Sequence, residues 1–554
     1  MYIIGISAFY HDSSVCLFKD NRLIFACEEE KFSGIKHDSS FPQKTLDHIF
    51  KKFNLNSKNI QAVCYYENPK LKRDRVILNI KKNFFKNPLF CLKSLFKITN
   101  IINDVDERLK KISPNVFYSD HHQSHLYYSF YTSPFHESAC LSVDGVGEID
   151  TLSFGIGGYK GISYTTLAKY PHSLGLYYTA MTTFLGFKPN EGEYKMMGLA
   201  SYGNPETYYE KVKELIQFKN GKLLCNMDVF CWDRSDTIMF NEKLEDILGI
   251  GARITKDPID KIHEDLAASV QKVYEDVLFD IIKSLRNVTD NTNLSLSGGC
   301  AYNGTANGKI TQKTQFNRLW IPPAPSDAGS SIGAVVHYLV DKKKFCDKIS
   351  RNPFLGPNFS ENEIYDAIKK FKYKKFKDID EVIQNIVKPL NDGKVIGWFQ
   401  GHIEFGARAL GNRSILANPT LDGMKDKINK VIKKREGFRP FAPMVIKDKQ
   451  HTYFHMTDDV PYMNQVVRVK DEYKEKLKAV THVDGTARVQ TVQNHTVIHK
   501  LLLEFEKISG YPVLLNTSFN VKDKTMVLTP KDAVETFYDT EMDILVMDKF
   551  AIYK

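Results

Sequence analysis

Three histidines follow Ser119 in the run Ser-Asp-His-His-Gln-Ser-His, and two of them have the spacing of metal ligands. Serine or aspartate before an apolar-periodic run is a common helix N-cap, so a helix is expected to begin here. His121 and His125 are four residues apart and would share one helix face, as two ligands of one ion must. His122 would point elsewhere. Because this spacing is also a frequent accident, it indicates a metal only if further ligands join it.

Two carboxylates are candidates to complete such a site. An apolar strand pattern at 139–143 ends at Asp144, with Gly145 and Gly147 in the turn that follows. A carboxylate at a strand end beside a glycine loop is a common way to present a ligand at a sheet edge. Asp327 lies far downstream, in the run PPAPSDAG. Two imidazoles plus carboxylates with open positions suit Fe²⁺, Mn²⁺ or Zn²⁺ acting on a bound substrate.

Two further loops combine glycine with small polar residues, and each follows a predicted strand. Residues 5–14 lie between two strand patterns and could present backbone N–H groups to an anion. Another strand pattern runs into Gly298 and Gly299, and Asn303 follows before a helical pattern. Glycine there lets a nucleotide approach the backbone near a helix N-terminus. Each loop alone is consistent with an ordinary turn, but their order around the Asp144 loop is the order of the actin-like ATPase fold.

The second half of the chain carries cations on glycine-rich and proline-stiffened loops. Arginine binds phosphate through a planar fork and stays charged when partly buried, so this pattern indicates a polyphosphate site. Two short polar residues follow an apolar strand pattern at 511–515 and could meet a ligand. A set of surface salt bridges is the alternative interpretation. The residues concerned are Glu404, Arg408, Arg413, Arg439, Asn516 and Ser518.

The elements that must position these residues alternate between strand and helix patterns, which predicts an α/β fold with mostly parallel or mixed sheets. A connector at 342–359, which contains lysine, proline and glycine, predicts a boundary between two α/β domains. A chain of 554 residues suits two or three domains at about 100–200 residues each. Strand patterns occur at 1–6, 14–18, 23–27, 140–143, 294–296, 394–398, 511–515 and 544–547, and helix patterns at 43–53 and 260–285.

A basic stretch interrupts the first α/β pattern. Residues 70–97 contain nine lysines and arginines against one acid, Asp74, with leucine and phenylalanine interleaved. One interpretation is a solvated helical insertion, because charge runs usually face solvent. The other is a lid or docking surface for an anionic acceptor.

Composition excludes several classes of protein. Hydrophobic residues make up 42% and charged residues 26% of the chain, which is ordinary for a globular protein. No apolar run reaches about 18 residues, so no membrane span is expected, and the first residues lack the pattern of a secretory signal. Nine cysteines without a CxxC pair predict reduced thiols and a cytoplasmic location. A net charge of +10, spread along the chain, favours an anionic ligand, and a nucleotide or phosphate satisfies it as well as a nucleic acid.

The motifs taken together resemble the O-carbamoyltransferases of the nodulation-factor, cephalosporin and tobramycin type, and the match covers nearly the whole chain in the correct order. The first half matches through GISAFYHDSSVCLF, EEEKFSGIKHD, HHQSHLYYSFYTSPF, LSVDGVGE, GEYKMMGLASYG, LSGGCAYNGTANGKI and PPAPSDAGSSIGA. The second half matches through GHIEFGARALGNRSILANP, IKKREGFRPFAPMV, DGTARVQTV and YPVLLNTSFN. The resemblance implies an actin-like (ASKHA, TsaD-like) domain at 1–345 and a YrdC-like α/β domain at 355–554.

The resemblance also implies a role for each matching residue. The metal positions are His121, His125, Asp144 and Asp327. The nucleotide-binding positions are Gly145, Gly147, Lys195, Gly298, Gly299 and Asn303. The positions for carbamoyl phosphate and ATP are Arg408, Lys433, Arg439, Arg488, Asn516 and Ser518, with Lys434 as the alternative to its neighbour. The catalytic positions are His11, as base for the acceptor hydroxyl, and Asp12, which would orient it; His11 as a structural hydrogen-bond donor is the alternative.

The chemistry that the resemblance implies has two steps. Carbamoyl phosphate and ATP would give carbamoyl adenylate in the second domain, and the carbamoyl group would then pass to a hydroxyl of a natural product or sugar in the first. Expected cofactors are a divalent metal, with Fe²⁺ favoured over Mn²⁺ or Zn²⁺, and Mg²⁺ with ATP. A homodimer is an open possibility, and no nucleic-acid partner is expected. The competing classes are a tRNA-modifying threonylcarbamoyl-type transferase, an actin-fold sugar kinase and a non-catalytic binding protein.

Overall fold

The computed structural model describes residues 1–84, 87–235, 237–342, 347–435, 437 and 439–554. The chain divides into two compact units whose main segments meet between Arg351 and Asn352. The predicted end of the first domain, at 345, lies outside the described residues. The first unit comprises Met1–Glu29, His37–Asn303 and Ile310–Arg351, and the second comprises Glu30–Lys36, Gly304–Lys309 and Asn352–Lys554.

The strands of the first unit are Tyr2–Ser7 (β1), Ser14–Lys19 (β2), Arg22–Glu28 (β3), Ile60–Tyr65 (β4), Val116–Tyr118 (β5), Ser138–Val143 (β6), Asp150–Gly158 (β7), Gly161–Lys169 (β8), Ile216–Lys219 (β9), Lys222–Cys225 (β10), Asn293–Ser297 (β11) and Arg318–Trp320 (β12). Five of them, β1, β2, β3, β6 and β11, lie close to the sequence-predicted positions, and the other strands were not predicted.

Two five-stranded sheets within the described part of this unit repeat one topology. The first has the order β3-β2-β1-β4-β5 and the second the order β8-β7-β6-β11-β12. In each, the first three strands pair antiparallel, and the last two join in parallel beside the first. The prediction of a mixed α/β fold is therefore confirmed, and the topology is duplicated within the unit.

Helices cover these sheets. The first part of the chain contains Glu29–Ser33 (α1), Gln43–Lys52 (α2), Pro69–Asn83 (α3), Pro88–Ile112 (α4), His121–Thr132 (α5), Leu174–Phe184 (α6), Glu193–Leu199 (α7), Tyr209–Lys213 (α8), Lys243–Leu248 (α9), Lys261–Ser284 (α10), Gly304–Asn307 (α11), Ile310–Lys313 (α12) and Asp327–Asp341 (α13). The predicted basic insertion is the pair α3 and α4; its Lys86 lies outside the described residues.

Helices α5 and α13 pack against each other in the core of the first unit, and glycine makes their close approach possible. A Cβ added to Gly333 on α13 would lie 1.8 Å from the carbonyl oxygen of Ser124 on α5. A Cβ on Gly5 in β1 would lie 2.1 Å from the carbonyl oxygen of Ser331. Any side chain at these positions would push the backbones apart. Gly333 therefore permits the close approach of the two helices that carry His121 and Asp327, and Gly5 permits that of β1 and α13.

The second unit is built on one large mixed sheet and one small sheet. Its strands are Tyr373–Lys375 (β13), Ile396–Phe399 (β14), Arg413–Ala417 (β15), Ala442–Ile446 (β16), Phe454–His455 (β17), Val466–Val469 (β18), Thr486–Arg488 (β19), Gln490–Val492 (β20), Val513–Ser518 (β21), Ile544–Met547 (β22) and Phe550–Tyr553 (β23). The large sheet has the order β13-β23-β22-β14-β15-β21-β16-β20, and the small one has the order β17-β18-β19.

Alternation along the strands gives the large sheet two apolar faces. In β14, Ile396 and Trp398 join one buried cluster and Phe399 joins the other, as the two-residue period of a strand dictates. Besides α11 and most of α1, the helices of this unit are Glu361–Ile368 (α14), Ile379–Asn391 (α15), Met424–Asp426 (α16), Gln450–Tyr453 (α17), Asp471–Lys474 (α18), Val497–Ser509 (α19) and Pro530–Tyr538 (α20). Helices α14 and α20 cover one face, and α15 and α19 cover the other.

No helix in the described part of the chain is both long enough and apolar enough to cross a membrane. The cysteines in that part are all free thiols, and all but Cys300 are buried.

Candidate metal and phosphate sites

Four buried side chains of the first unit converge on one point. The Nε2 atoms of His121 and His125 lie 3.0 Å apart. Oδ2 of Asp144 is 2.9 Å from Nε2 of His121 and 3.2 Å from Nε2 of His125. Oδ1 of Asp327 is 3.5 and 3.6 Å from the same two nitrogens. The structure therefore brings together all four positions that the resemblance assigned to a metal.

Each ligand reaches this point from the end of a regular element. The histidines lie in the first two turns of α5, Asp144 follows the last residue of β6, and Asp327 is the first residue of α13. Asp120 occupies the N-cap of α5, as predicted, but its side chain makes no capping bond there. Ser330, one turn beyond Asp327, lies 3.0 Å from Nδ1 of His125 and so fixes the orientation of that ring.

The four residues fit a divalent cation. Ligand atoms about 2.0–2.2 Å from one ion lie about 2.8–3.6 Å from each other in tetrahedral or octahedral arrangements, and the distances here run from 2.9 to 3.6 Å. Oδ2 of Asp327 is buried and has no hydrogen-bond partner among the described residues, as expected of a carboxylate that awaits a cation. Two imidazoles and two carboxylates form a donor set suited to Fe²⁺, Mn²⁺ or Zn²⁺.

The electrostatics of the cluster also favour a cation. Burial alone would lower the pKa of His121, but the charge of Asp327 and the hydrogen bond to Asp144 outweigh it and raise that pKa to about 9. His125 shows the same balance, and its pKa is raised. Burial would raise the pKa of Asp144, yet the hydrogen bonds from the two histidines hold it well below its usual range. The carboxylates thus stabilise positive charge at this point.

Two neighbours support the ligands without joining them. Glu148 is buried and accepts hydrogen bonds from the backbone N–H groups of His121 at 2.9 Å and Asn68 at 2.6 Å. Burial, the largest influence, raises its pKa to about 7. His122 turns away as predicted: its Nδ1 lies 2.9 Å from Oγ of Ser153, and burial lowers its pKa well below the usual value. The sequence analysis did not single out Glu148, although it closes the motif LSVDGVGE.

The predicted catalytic pair belongs to a cluster of three residues. Asp12 lies 2.7 Å from Nδ1 of His11 through one oxygen and 2.7 Å from Nδ1 of His37 through the other. Nε2 of His11 lies 3.2 Å from the carbonyl oxygen of Asn190. Burial would lower the pKa of His11, but the charge of Asp12 raises it to about 10. His37 was missed, although it stands in the motif EEEKFSGIKHD.

The glycines that were predicted to bind a nucleotide contact residues of the candidate metal site. Oδ1 of Asp144 accepts hydrogen bonds from the backbone N–H groups of Gly145 at 2.8 Å and Gly299 at 3.0 Å. A Cβ on Gly147 would lie 3.1 Å from His121. The side chains of Asn303 and Gln271 are paired through bonds of 3.0 and 3.1 Å. Lys195 is half-buried on α7, and the nucleotide role of all these residues stays a prediction.

Gly298 is expected to tolerate no side chain. Its φ is +90°, and an added Cβ would lie 2.2 Å from the carbonyl oxygen of Val143. We predict that Gly298→Ala destabilises the protein by about 2 kcal/mol or more, because both strain and a backbone clash oppose it. Gly221→Ala is the matched control, since Gly221 has φ +73° and open space around it. Equal losses of thermal stability in the two variants would contradict this account.

A cluster of cations forms the second candidate site, in the second unit. Helix α16 continues as the π-helical stretch Lys427–Ile432, and Lys433 follows directly. Lys433 is buried, whereas Lys434 is exposed. The Lys433 ammonium bonds to the Ser518 carbonyl oxygen and lies 3.2 Å from Oγ of Ser518 and 2.7 Å from Oδ1 of Asn520. Burial, then the charges of nearby arginines, lower its pKa well below the usual value.

Arg488 belongs to the same cluster, because the charges of Arg435 and Arg439 act on both Arg488 and Lys433. It ends β19, and burial followed by the charges of Arg408, Arg435 and Arg439 lowers its pKa well below the usual range. Its Nε is buried without a hydrogen-bond partner among the described residues. Cations held this close repel each other, and an anion bound among them relieves the repulsion. The prediction missed Arg435, together with Lys36, whose charge also acts on Lys433.

Two residues considered for the phosphate site lie elsewhere. Arg413 is fully buried and donates to the carbonyl oxygens of Gln400 and Gly401, so the interpretation of this arginine as a phosphate ligand is wrong. Glu404 is buried beside it and accepts from backbone N–H groups, including that of Leu410 at 2.8 Å. Both hold the glycine-rich loop in place.

Asn516 has its amide committed within the fold. Its Nδ2 donates to the carbonyl oxygen of Ala409 at 2.9 Å and to Oε1 of Gln490 at 2.8 Å. Its Oδ1 is buried and has no partner in the described part of the chain. The side chain ties the end of β21 to the loop that carries Arg408.

Comparison with known proteins decides the family. The family model described as "Carbamoyltransferase N-terminus" matches residues 2–336, which is more than half of the chain. The chain belongs to the carbamoyltransferase family. The model described as "Carbamoyltransferase C-terminus" matches residues 387–554 of this carbamoyltransferase.

Relatives extend over almost the whole carbamoyltransferase chain. Nodulation protein NolNO of Sinorhizobium fredii is 33% identical, and the match covers 99% of this chain and 80% of that protein. An uncharacterized protein of Synechocystis is 35% identical, with 100% and 97% covered. Among solved structures, the activator of 2-hydroxyisocaproyl-CoA dehydratase from Clostridium difficile is 12% identical and covers 62% of this chain and 96% of its own, with a TM-score of 0.32.

Proposed function

We propose that this carbamoyltransferase joins the carbamoyl group of carbamoyl phosphate to AMP and then transfers it from carbamoyl adenylate to a hydroxyl of a natural product or sugar. The observation that carries the proposal is the presence of two unlike sites in a member of this family. Four side chains that could hold a cation converge in the first unit, and a group of arginines and Lys433 that could bind an anion lies in the second. One site suited to a cation and another suited to an anion are consistent with a reaction that has two chemically different steps.

The two units would correspond to an actin-like, TsaD-like domain at 1–345 and a YrdC-like domain at 355–554. The duplicated strand order of the first unit supports the former. The second assignment rests on the resemblance of its motifs. Nucleotide binding by the loops around Gly145 and Gly298 belongs to the same proposal.

In the adenylate-forming step, water would cleave carbamoyl phosphate to carbamate and inorganic phosphate. A carbamate oxygen would then attack the α-phosphorus of ATP, forming the bond to AMP as pyrophosphate leaves. Such a reaction depends on positioning and on stabilising charge on phosphate oxygens. Arg408, Arg439 and Arg488 supply planar forks for those oxygens, and Lys433 supplies a point charge. Ser518 adds a hydroxyl donor at the end of β21. Mg²⁺ would accompany ATP as in other nucleotide-dependent transfers.

In the transfer step, His121, His125, Asp144 and Asp327 would hold the divalent metal, with Fe²⁺ favoured. A bound cation of this kind polarises a carbonyl oxygen and makes the adjacent carbon easier to attack. His11, in its neutral form, would take the proton from the acceptor hydroxyl, a poor nucleophile at neutral pH. Burial would lower the pKa of His11, but the charge of Asp12 raises it to about 10, so this step would be favoured at alkaline pH. Asp12 holds His11 by a 2.7 Å contact and so orients its ring.

The products formed from ATP and carbamoyl phosphate test this proposal. In a neutral buffer with Mg²⁺, we expect AMP and pyrophosphate to form only when carbamoyl phosphate is present. Chromatography and ³¹P NMR spectroscopy identify the products. ADP as the nucleotide product would indicate a kinase instead. AMP formation that requires threonine and bicarbonate rather than carbamoyl phosphate would indicate a threonylcarbamoyl-type tRNA-modifying enzyme.

A further inference from the structure

The hairpin of α3 and α4 carries an exposed face that neither candidate site uses. On α4, Leu89, Leu92 and Phe96 follow one another at spacings of three and four residues and therefore share one helix face. They are 63%, 59% and 71% exposed, respectively. Large apolar side chains that form one solvent-facing stripe mark an interaction surface, whereas scattered ones do not. We refer to these three residues as the α4 stripe.

Lysines border the α4 stripe, and no acidic residue lies near it in the sequence. Lys93 and Lys97 are exposed on the same part of α4, and Lys81 is exposed near the end of α3. No aspartate or glutamate occurs between Asp74 and Asp104. None of the three lysines has an ion pair recorded among the described residues, whereas Lys82 lies 3.6 Å from Asp233. The surface is therefore apolar and positively charged at once.

The opposite side of the hairpin is anchored to the first unit. Asn79 and Asn83 donate to the carbonyl oxygen of Asp233 at 2.7 and 3.1 Å. Nη1 of Arg75 donates to the carbonyl oxygen of Gly147 at 2.7 Å, which ties α3 to the loop that follows a metal ligand. The inner residues of α4 are buried, namely Cys91, Ile98, Val105 and Leu109. One face of the hairpin is thus buried against the first unit, whereas the α4 stripe forms a separate face that is exposed.

We propose that the α4 stripe docks on the surface of an anionic lipid bilayer. A helix that places leucine and phenylalanine between lysines suits the headgroup region, where apolar side chains enter the acyl boundary and lysines meet anionic headgroups. The contact would be interfacial, because the opposite face of α4, with Cys91, Ile98, Val105 and Leu109, is buried. A twofold contact with a second copy is disfavoured, because it would place Lys93 and Lys97 against their own counterparts.

Vesicle sedimentation with the full-length protein tests this inference independently of the transfer chemistry. We expect the protein to sediment with phosphatidylcholine vesicles that contain about 30% phosphatidylglycerol at low salt, and at least tenfold less with phosphatidylcholine alone. Binding should weaken at high salt, because the lysine contribution is screened. Phe96→Glu should lower binding to anionic vesicles at least tenfold. Lys93→Glu combined with Lys97→Glu should do the same.

Ile254→Glu is the matched control, because Ile254 is 68% exposed on the same unit and lies away from the hairpin in sequence. It should bind vesicles like the parent protein, and the thermal unfolding midpoints of all variants should agree. Three outcomes would overturn the proposal: a parent protein that stays in the supernatant, an Ile254→Glu variant as defective as Phe96→Glu, or a Phe96→Glu variant that changes a dimer to a monomer without altering vesicle binding.

Discussion

His121→Ala is expected to lose the bound divalent metal and carbamoyl transfer together. The substitution removes one of four converging ligand atoms, and its Nε2 lies within 3.5 Å of the other three. Transfer should fall by about three orders of magnitude, because a bound cation contributes several kcal/mol of charge stabilisation. Elemental analysis gives the metal content per chain. The transfer rate is measured as the incorporation of ¹⁴C from labelled carbamoyl phosphate into acceptor molecules, which a small-molecule extract supplies.

His122→Asn is the control for this variant. His122 is the neighbouring buried histidine, but it faces Ser153 and contributes no ligand atom to the cluster. Its substitution should retain the metal even where it lowers stability. An active preparation without metal, or equal metal loss in both variants, would contradict the assignment of the four ligands.

Arg488→Ala is expected to slow the formation of AMP and pyrophosphate about a hundredfold. The charges of Arg408, Arg435 and Arg439 act on Arg488, so an anion bound among these side chains would gain from its guanidinium. Removal of one preorganised charge contact typically costs about 3 kcal/mol, or roughly a hundredfold in rate. Carbamoyl phosphate-dependent exchange of labelled pyrophosphate into ATP measures this step without any acceptor. Metal content in this variant should stay at the parent level.

Arg468→Ala provides the matched arginine. Arg468 lies on β18, the neighbour of β19 in the small sheet, and pairs in register with Thr486 two residues before Arg488. Its side chain is exposed. The exchange rate of this variant should equal that of the parent protein, so an equal loss in both variants would argue against a specific phosphate contact.

The sequence predicts the local elements of this fold because their patterns are local. Short apolar runs and the run after Ser119 placed β1, β2, β6 and α5 close to their observed bounds. The duplicated topology of the first unit was not predicted, since strand order is set by tertiary pairing and leaves no short repeat in the sequence. The short excursions Glu30–Lys36 and Gly304–Lys309 into the second unit are equally invisible to a pattern analysis.

The same distinction applies to the candidate sites. His121 and His125 could be predicted from spacing, and Asp144 from its place at a strand end. Glu148, His37 and Arg435 could not, because their roles come from neighbours distant in sequence, such as the 2.7 Å contact between His37 and Asp12. Arg413 shows the converse. Its glycine-rich context suggested a phosphate ligand, but its guanidinium donates to the backbone carbonyl oxygens of Gln400 and Gly401.

The most direct test of the two-step account is to supply synthetic carbamoyl adenylate to both variants and to measure transfer of its labelled carbamoyl group. We expect Arg488→Ala to transfer at the parent rate, because the step that is slowed in this variant has been bypassed, and His121→Ala to remain inactive. His121→Ala should nevertheless exchange pyrophosphate into ATP, because the arginines and Lys433 of the second unit are unchanged in this variant. Failure of the rescue in correctly folded Arg488→Ala, or absence of exchange in His121→Ala, would contradict two separate sites and place both steps in one.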